Sequence, residues 1–203
     1  MKRTQEKKQM EKGQYGYIKR RIQYEIAVSF VGFAIIAGIY FLGILLYKNN
    51  RNIFTVLAVM FVLPIAKHVV AVLVLLGKKS LSMERWQELE VIASKKQGVF
   101  LYDNVISSKE KLHCFPVIYV ENKHVFVYHE KGEKREWETY ITQFLSSVAL
   151  VEKVWGRSEW AEFLKRVRAA DYVKVYEKLT ELQKKDRKDN DEKILQSIKD
   201  YSL

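Results

Sequence analysis

Residues 26–47 read IAVSFVGFAIIAGIYFLGILLY, a run of 22 residues without a charge, and residues 53–76 read IFTVLAVMFVLPIAKHVVAVLVLL, a run of 24 with one lysine. A transmembrane helix needs about 20 predominantly apolar residues, because the hydrocarbon core of a bilayer is about 30 Å thick. Lipid gives the backbone no hydrogen-bond partners, so both runs should be helical despite their β-branched residues. We therefore predict a two-helix transmembrane hairpin over residues 26–76.

The first run also has to be distinguished from a cleaved signal peptide. The apolar region of a signal peptide is usually about 7–15 residues long and ends at a small-residue cleavage site. Residues 26–47 form a longer run that begins after 25 residues and ends in Leu-Leu-Tyr. We therefore expect both helices to be retained.

The net charge of +11 is concentrated around the two apolar runs. Residues 1–79 hold 13 basic and 3 acidic residues, whereas residues 80–203 hold 22 and 21. This distribution differs from the broad basic surface of a nucleic-acid-binding protein, so no nucleic-acid partner is expected. Because basic residues favour the cytoplasmic side, the flanking charges predict a multi-pass cell-membrane protein with both termini in the cytoplasm. The basic residues nearest the membrane surface are Lys19, Arg20, Arg21, Lys78 and Lys79.

Two features of the hairpin are candidates for contacts within the membrane. Lys67 and His68 interrupt the second run, and neither run contains an acidic residue that would pair with Lys67. Three interpretations remain open for Lys67: an ion or proton relay, a polar helix–helix or partner contact, and a tolerated lysine whose stem extends part of the way toward the bilayer surface. Ala34 and Gly38 form a small-xxx-small pair that permits close helix packing, either within the hairpin or against another membrane protein.

The remainder of the chain predicts a small cytoplasmic α+β domain over residues 80–155. Helical spacing favours a helix over residues 83–94, and β-branched and aromatic residues favour strands over 99–104, 115–120 and 124–128. The short connections favour an antiparallel β-meander, with a further short strand over 135–138. Apolar spacing then predicts a helix over 140–154.

Residues 156–203 are predicted to form a helical C-terminal extension. At the other end of the sequence, residues 1–25 are predicted to form a separate basic cytoplasmic segment. One amphipathic helix begins near residue 158 and another near residue 171. The charged run 184–193, KKDRKDNDEK, is interpreted as a solvated linker before a short amphipathic end piece.

A search for catalytic motifs finds no nucleotide-binding loop, no zinc-protease helix and no serine-hydrolase elbow. Cys114 is the one cysteine, and we interpret it as structural. His113, His124 and His129 do not have the spacing of a zinc site, and they are interpreted as residues on the surface of the sheet. No cofactor is expected.

One pattern resembles the PD-(D/E)xK nuclease signature. Asp103 closes a predicted strand, and Glu121-Asn122-Lys123 follows another. The resemblance implies that Asp103 and Glu121 hold a divalent metal ion while Lys123 assists phosphodiester hydrolysis. The chain departs from the family pattern because no proline precedes Asp103 and because residues 121–123 are typical of a hairpin turn.

From these patterns we expect an integral membrane protein whose hairpin tethers a non-catalytic protein-interaction or membrane-complex module. Its expected partners are the lipid bilayer and either another protein or a second copy of the chain. Two alternatives stay open: a membrane-tethered metal-dependent hydrolase using the Asp103 site, and an accessory subunit of a transporter or channel using Lys67.

Overall fold

A computed structural model of the chain describes residues 11–107, 112–129, 134–147, 149, 151–170, 172 and 177–202. Residues 18–78 form one compact unit, and the other described residues form a second. The first unit is the predicted hairpin, extended at its start by several polar residues. The second unit contains residues 11–17 as well as 79–202 and includes the predicted α+β domain; we call this whole unit the α/β domain. The residues just before the hairpin therefore belong to it and are not a separate segment.

The hairpin consists of α1, Tyr17–Tyr47, and α2, Ile53–Leu76. Both helices are long and apolar enough to cross a membrane, and only 17% and 6% of their most apolar windows are buried. Helix α1 begins nine residues before the uncharged run because residues such as Lys, Arg, Gln and Glu also favour helix. Asn52 caps the start of α2, because its side chain accepts a hydrogen bond from the Thr55 amide.

Helices α1 and α2 pack closely through two glycines. A Cβ atom at Gly32 would lie 2.1 Å from Ile65 Cδ1, and one at Gly43 would lie 2.6 Å from Phe54 Cβ. Both distances are too short for a side chain larger than hydrogen. The antiparallel helices are therefore in a register that places Gly32 beside Ile65 and Gly43 beside Phe54.

The second unit is built on a four-stranded mixed sheet in the order β1-β2-β3-β4. The strands are β1 Val99–Ser107, β2 Leu112–Glu121, β3 His124–Tyr128 and β4 Lys153–Arg157. The first three strands confirm the predicted strand positions, and their pairing is antiparallel. Strand β4 pairs in parallel with β3, so the prediction of an entirely antiparallel meander is wrong.

The fourth strand was expected at residues 135–138, but those residues lie in helix α4, Lys134–Ser146. Parallel strands need a long crossover, usually about a dozen residues or more, and the chain between β3 and β4 provides it. The predicted helix over 140–154 therefore ends earlier than expected, and its last residues begin β4.

Helices cover both faces of this sheet. Helices α3, Met83–Ala93, and α5, Trp160–Ala169, pack on one face through Leu89 and Phe163. Helices α4 and α6, Glu181–Tyr201, pack on the other through Trp137 and Ile194. The predicted helices over 83–94 and from residue 158 are confirmed. The helix predicted from residue 171 falls mainly on residues outside the described part of the chain.

The charged run 184–193 is not a linker but the first half of α6. Thr180 and Gln183 form a capping box at the start of this helix. Asp191 accepts hydrogen bonds from the backbone amides of Asn122 and Lys123 at 2.8 and 2.7 Å. Because α5 and α6 supply core residues, residues 156–203 are part of the α/β domain rather than a separate extension.

Residues 11–17, here called the N-terminal strap, cover part of the β1 edge. The Tyr102 amide donates to the Gly13 carbonyl at 2.8 Å, and Tyr15 stacks on Trp86 with ring centroids 4.9 Å apart. Beyond Asp103, which has a positive φ of 54°, the Val105 amide donates to Ser202 Oγ at 3.1 Å. The strap and the end of α6 thus satisfy backbone groups that an edge strand would otherwise expose.

Candidate functional site

Three ionisable side chains, Arg21, Glu25 and His68, meet within the hairpin, and we call them the hairpin cluster. The Glu25 side chain is 2% exposed. Its Oε1 lies 2.8 Å from Arg21 Nε and its Oε2 lies 2.6 Å from His68 Nδ1. Ser29 Oγ also donates to the Glu25 carbonyl at 2.8 Å, which adds a polar contact one turn further along α1.

A carboxylate removed from water is costly unless charged or hydrogen-bonding groups compensate it. In the hairpin cluster each carboxylate oxygen of Glu25 has one nitrogen partner, one from α1 and one from α2. The bond to His68 therefore fixes the rotation of α1 relative to α2 more specifically than apolar contacts do.

The sequence indicated His68 as an intramembrane polar residue, but Glu25 was missed. Glu25 directly precedes the uncharged run, so a helix predicted to start at Ile26 does not include Glu25. The structure continues α1 back to Tyr17. The spacing of Arg21, Glu25 and Ser29 was a usable signal, because residues four apart share one face of a helix.

Lys67 does not join the hairpin cluster, although it is adjacent to His68 in the sequence. It is exposed, whereas Ala58 is buried on α2. Lys67 follows Ala58 by nine residues, which is about 180° around a helix at 3.6 residues per turn. Lys67 consequently faces away from α1.

Ala34 and Gly38 also face away from the helix contact within the hairpin. Ala34 is exposed, and a Cβ atom at Gly38 would have nothing within 4 Å. Ala34 follows the buried Glu25 by nine residues, again about half a turn around the helix axis. Close approach in the hairpin uses Gly32 and Gly43 instead, and docking at the Ala34–Gly38 pair stays a prediction.

The basic residues predicted at the membrane surface have different environments. Lys19 and Lys79 are exposed, and Lys78 follows Gly77, the residue that ends α2. Arg21 instead donates into the hairpin cluster. The Lys79 carbonyl accepts a long contact from Cys114 Sγ at 3.9 Å, and Cys114 is partly exposed.

The three histidines of the α/β domain contact aromatic rings. His113 stacks on Tyr140, His129 stacks on Trp137, and His124 packs against Tyr172. Among the described residues, no group of three or more His, Cys, Asp or Glu side chains has the geometry to hold a metal ion.

The trio that resembles the nuclease motif is dispersed. Asp103 accepts a hydrogen bond from Ser80 Oγ at 3.0 Å, Glu121 accepts one from the Tyr119 hydroxyl at 2.7 Å, and Lys123 Nζ lies 3.3 Å from Asp186 Oδ2. Val99 pairs with Val120, which puts Glu121 level with residue 98, so Asp103 is about five residues, or ~17 Å, along the sheet from Glu121. The hypothesis of a metal site at these residues loses its geometric basis.

Glu121 is nevertheless an unusual group, because its side chain is buried at the end of β2. Removal from water raises the pKa of the Glu121 carboxyl, while the Tyr119 hydroxyl and the charge of Lys96 partly oppose this rise. Burial and the proximity of Glu121 in turn raise the pKa of Tyr119. Gly98 permits this arrangement, since a Cβ atom there would lie 2.6 Å from the Tyr119 hydroxyl.

Glu121→Gln is expected to reduce the pH dependence of stability. Since the folded state raises the pKa of Glu121, its contribution is fully present below the unfolded pKa, about 4.3, and is lost as the pH rises through the folded pKa. Glutamine keeps a hydrogen-bond acceptor for Tyr119 but has no proton to lose. Tryptophan fluorescence can monitor denaturant unfolding of the protein in detergent from pH 4 to pH 8. The free energy of unfolding should change less with pH in the variant than in the wild type.

The free energy of unfolding of Glu121→Gln should still depend on pH, because burial also raises the pKa of Asp191. Glu177→Gln is the matched control, since Glu177 is exposed. Identical pH profiles for the wild type and Glu121→Gln would contradict the role assigned to the buried carboxyl.

No family model, curated protein or solved structure matches this chain. Functional inference therefore rests on the residues of the chain and on the contacts they make.

Proposed function

We propose that the hairpin crosses the cell membrane twice and tethers the α/β domain to its cytoplasmic face, where the domain acts as a non-catalytic protein-interaction module. The apolar surfaces of α1 and α2 support a membrane environment, because so little of them is buried in the protein. Exposed apolar surface of this extent is unfavourable in water.

The position of the N-terminal strap is the observation that carries this proposal. The strap immediately precedes α1, whereas the rest of the α/β domain follows α2. The two parts are joined by the Tyr102–Gly13 hydrogen bond and the Tyr15–Trp86 stack. A hairpin that crosses a bilayer twice returns the chain to its starting side, as this packing requires, and the flanking basic residues favour the cytoplasm.

A binding role is favoured over an enzymatic one by the separation of Asp103, Glu121 and Lys123. The hydrolase alternative needed these side chains at one metal ion, but each bonds to a different partner. The proposed module binds another protein or a second copy of this chain at the cytoplasmic face.

An accessory role in a transporter or channel is the second candidate, and the hairpin cluster with the outward-facing Lys67 favours it. Ionisable side chains inside a membrane are costly and often mark functional contacts. Two helices are too few to enclose a pore, so this role requires further subunits.

The topology is tested by cysteine labelling in intact cells. In a Cys114→Ser background, Asn50→Cys should react with a membrane-impermeant maleimide, whereas Lys188→Cys should react only after permeabilisation. Both positions are exposed in the structure, so access depends on the membrane. The protein should also stay in the membrane fraction during alkaline extraction. The reverse labelling pattern would overturn the cytoplasmic orientation, and release by alkali would overturn the membrane span.

A further inference from the structure

We propose that Lys67 is the docking point for a spanning helix of a different membrane protein, which presents a carboxylate at the same depth. This inference rests on the proposed membrane span of the hairpin. It assigns the class of partner and the residue that recognises it.

The location of Lys67 requires a partner from outside the hairpin. It is exposed on the side of α2 opposite to α1. The one acidic side chain in the described part of the two helices is Glu25, and both of its oxygens are engaged by Arg21 and His68. A cation in hydrocarbon is strongly destabilised, so a carboxylate placed against Lys67 would gain from both charge neutralisation and hydrogen bonding.

The direction of the Lys67 side chain favours a protein partner over a lipid phosphate. Because Gly32 lies beside Ile65, Lys67 is level with residue 30, about four residues or ~6 Å inside the start of the uncharged run. On α2 itself, Lys67 is about nine residues or ~14 Å from Leu76. Helical side chains lean toward the helix N-terminus, which directs the Lys67 stem away from the end at Leu76 and deeper into the bilayer.

Pro64 adds a second polar feature close to Lys67. Proline has no amide hydrogen, so it gives no hydrogen bond to the Met60 carbonyl one turn earlier. Both Met60 and Pro64 are exposed, as Lys67 is. A partner helix seated here would meet the three donors of the lysine and a carbonyl acceptor on neighbouring turns.

A second copy of this chain does not supply the complementary group. Within residues 26–47 and 53–76 the sequence contains no Asp or Glu, and Glu25 is buried in its own hairpin. The partner is therefore expected to be a different protein with an acidic residue in an apolar helix.

The test uses the full-length protein in phosphatidylcholine vesicles and a synthetic apolar helix of about 24 residues with one central glutamate. Association is measured by energy transfer between a label on the protein and a label on the peptide, with a glutamine peptide as reference. We expect the glutamate peptide to bind about tenfold more tightly, as for interhelical polar contacts in membranes. In a series of peptides whose glutamate is shifted by one helical turn at a time, one position of the glutamate should give the tightest binding.

Lys67→Gln and Lys67→Leu should abolish this preference, whereas Lys19→Gln should retain it, because Lys19 is an exposed cation outside the uncharged run. Equal binding of the two peptides to the wild type, or an unchanged preference in Lys67→Gln, would overturn the proposal. Loss of the preference on adding phosphatidylglycerol would overturn it in favour of a lipid phosphate. Alkaline extraction of the same vesicles separates these outcomes from failure of the membrane span, which would release the wild type.

Discussion

Gly156→Ala is expected to destabilise the α/β domain by about 3 kcal/mol, at the upper end of the cost of overpacking a core. A Cβ atom at Gly156 would lie 1.7 Å from Trp137 Cη2 and 2.4 Å from its Cζ3. The Trp137 side chain is 2% exposed and lies between α4 and the sheet, so its ring has little room to move. Chemical denaturation of the full-length protein in detergent measures the loss.

Gly77→Ala provides the matched control, because a Cβ atom at Gly77 would have nothing within 4 Å. Trp137→Leu tests the mechanism, since the smaller side chain leaves room for the new methyl group. Combining Gly156→Ala with Trp137→Leu should therefore cost less than the sum of the two single changes. Strict additivity would show that the alanine acts through something other than the Trp137 ring.

Asp191→Ala is the second change with a large expected effect, a loss of about 2–3 kcal/mol in the free energy of unfolding. The carboxylate of Asp191 accepts both backbone amides of the turn between β2 and β3. Asn122 and Lys123 have positive φ angles of 53° and 63°, which match a two-residue hairpin turn. Asparagine tolerates this conformation, but it is unfavourable for lysine. Removal of Asp191 leaves this strained turn without its acceptors.

Asp191→Asn separates hydrogen bonding from side-chain size. One carboxylate oxygen becomes an amide donor facing a backbone amide, so this variant should also be destabilised, although by less than Asp191→Ala. Asp189→Asn is the control on the same helix, because Asp189 is exposed. Hydrogen exchange at the amides of Asn122 and Lys123 should accelerate in Asp191→Ala and stay slow in the control, and equal exchange in both would contradict the proposed role.

The parts of the fold that follow from local composition could be predicted. The two apolar runs define α1 and α2, and the β-branched residues of 115–120 and 124–128 define β2 and β3. Strand β4 could not be predicted, because Lys153–Arg157 is short, contains a glycine and pairs with residues far away in sequence. The pairing partner, rather than local propensity, decides that segment.

The first half of α6 and the hairpin cluster were missed for a related reason. Residues 184–193 contain no apolar residue, so nothing in their pattern indicated that Asp191 would bond the turn at Asn122. Glu25 was missed because hydropathy ends a helix at the first charge, whereas the helix continues when the charge finds a partner. Glu121 and Lys123 of the candidate nuclease trio are close in sequence, but this does not show where their side chains point. Glu121 bonds to Tyr119 on β2, whereas Lys123 pairs with Asp186 on α6.

The N-terminal strap has a consequence for biosynthesis. The strap residues are translated first, but their partners Trp86 and Tyr102 are made after the whole hairpin, and Lys12 bonds to the carbonyl of Ser202, which is 190 positions later. The strap can therefore meet Trp86 and Tyr102 once β1 has been made, but it lacks its last partner until α6 has been translated. A chain whose translation stops before residue 202 would leave the β1 edge incompletely covered, and such an exposed edge is a template for pairing with another chain.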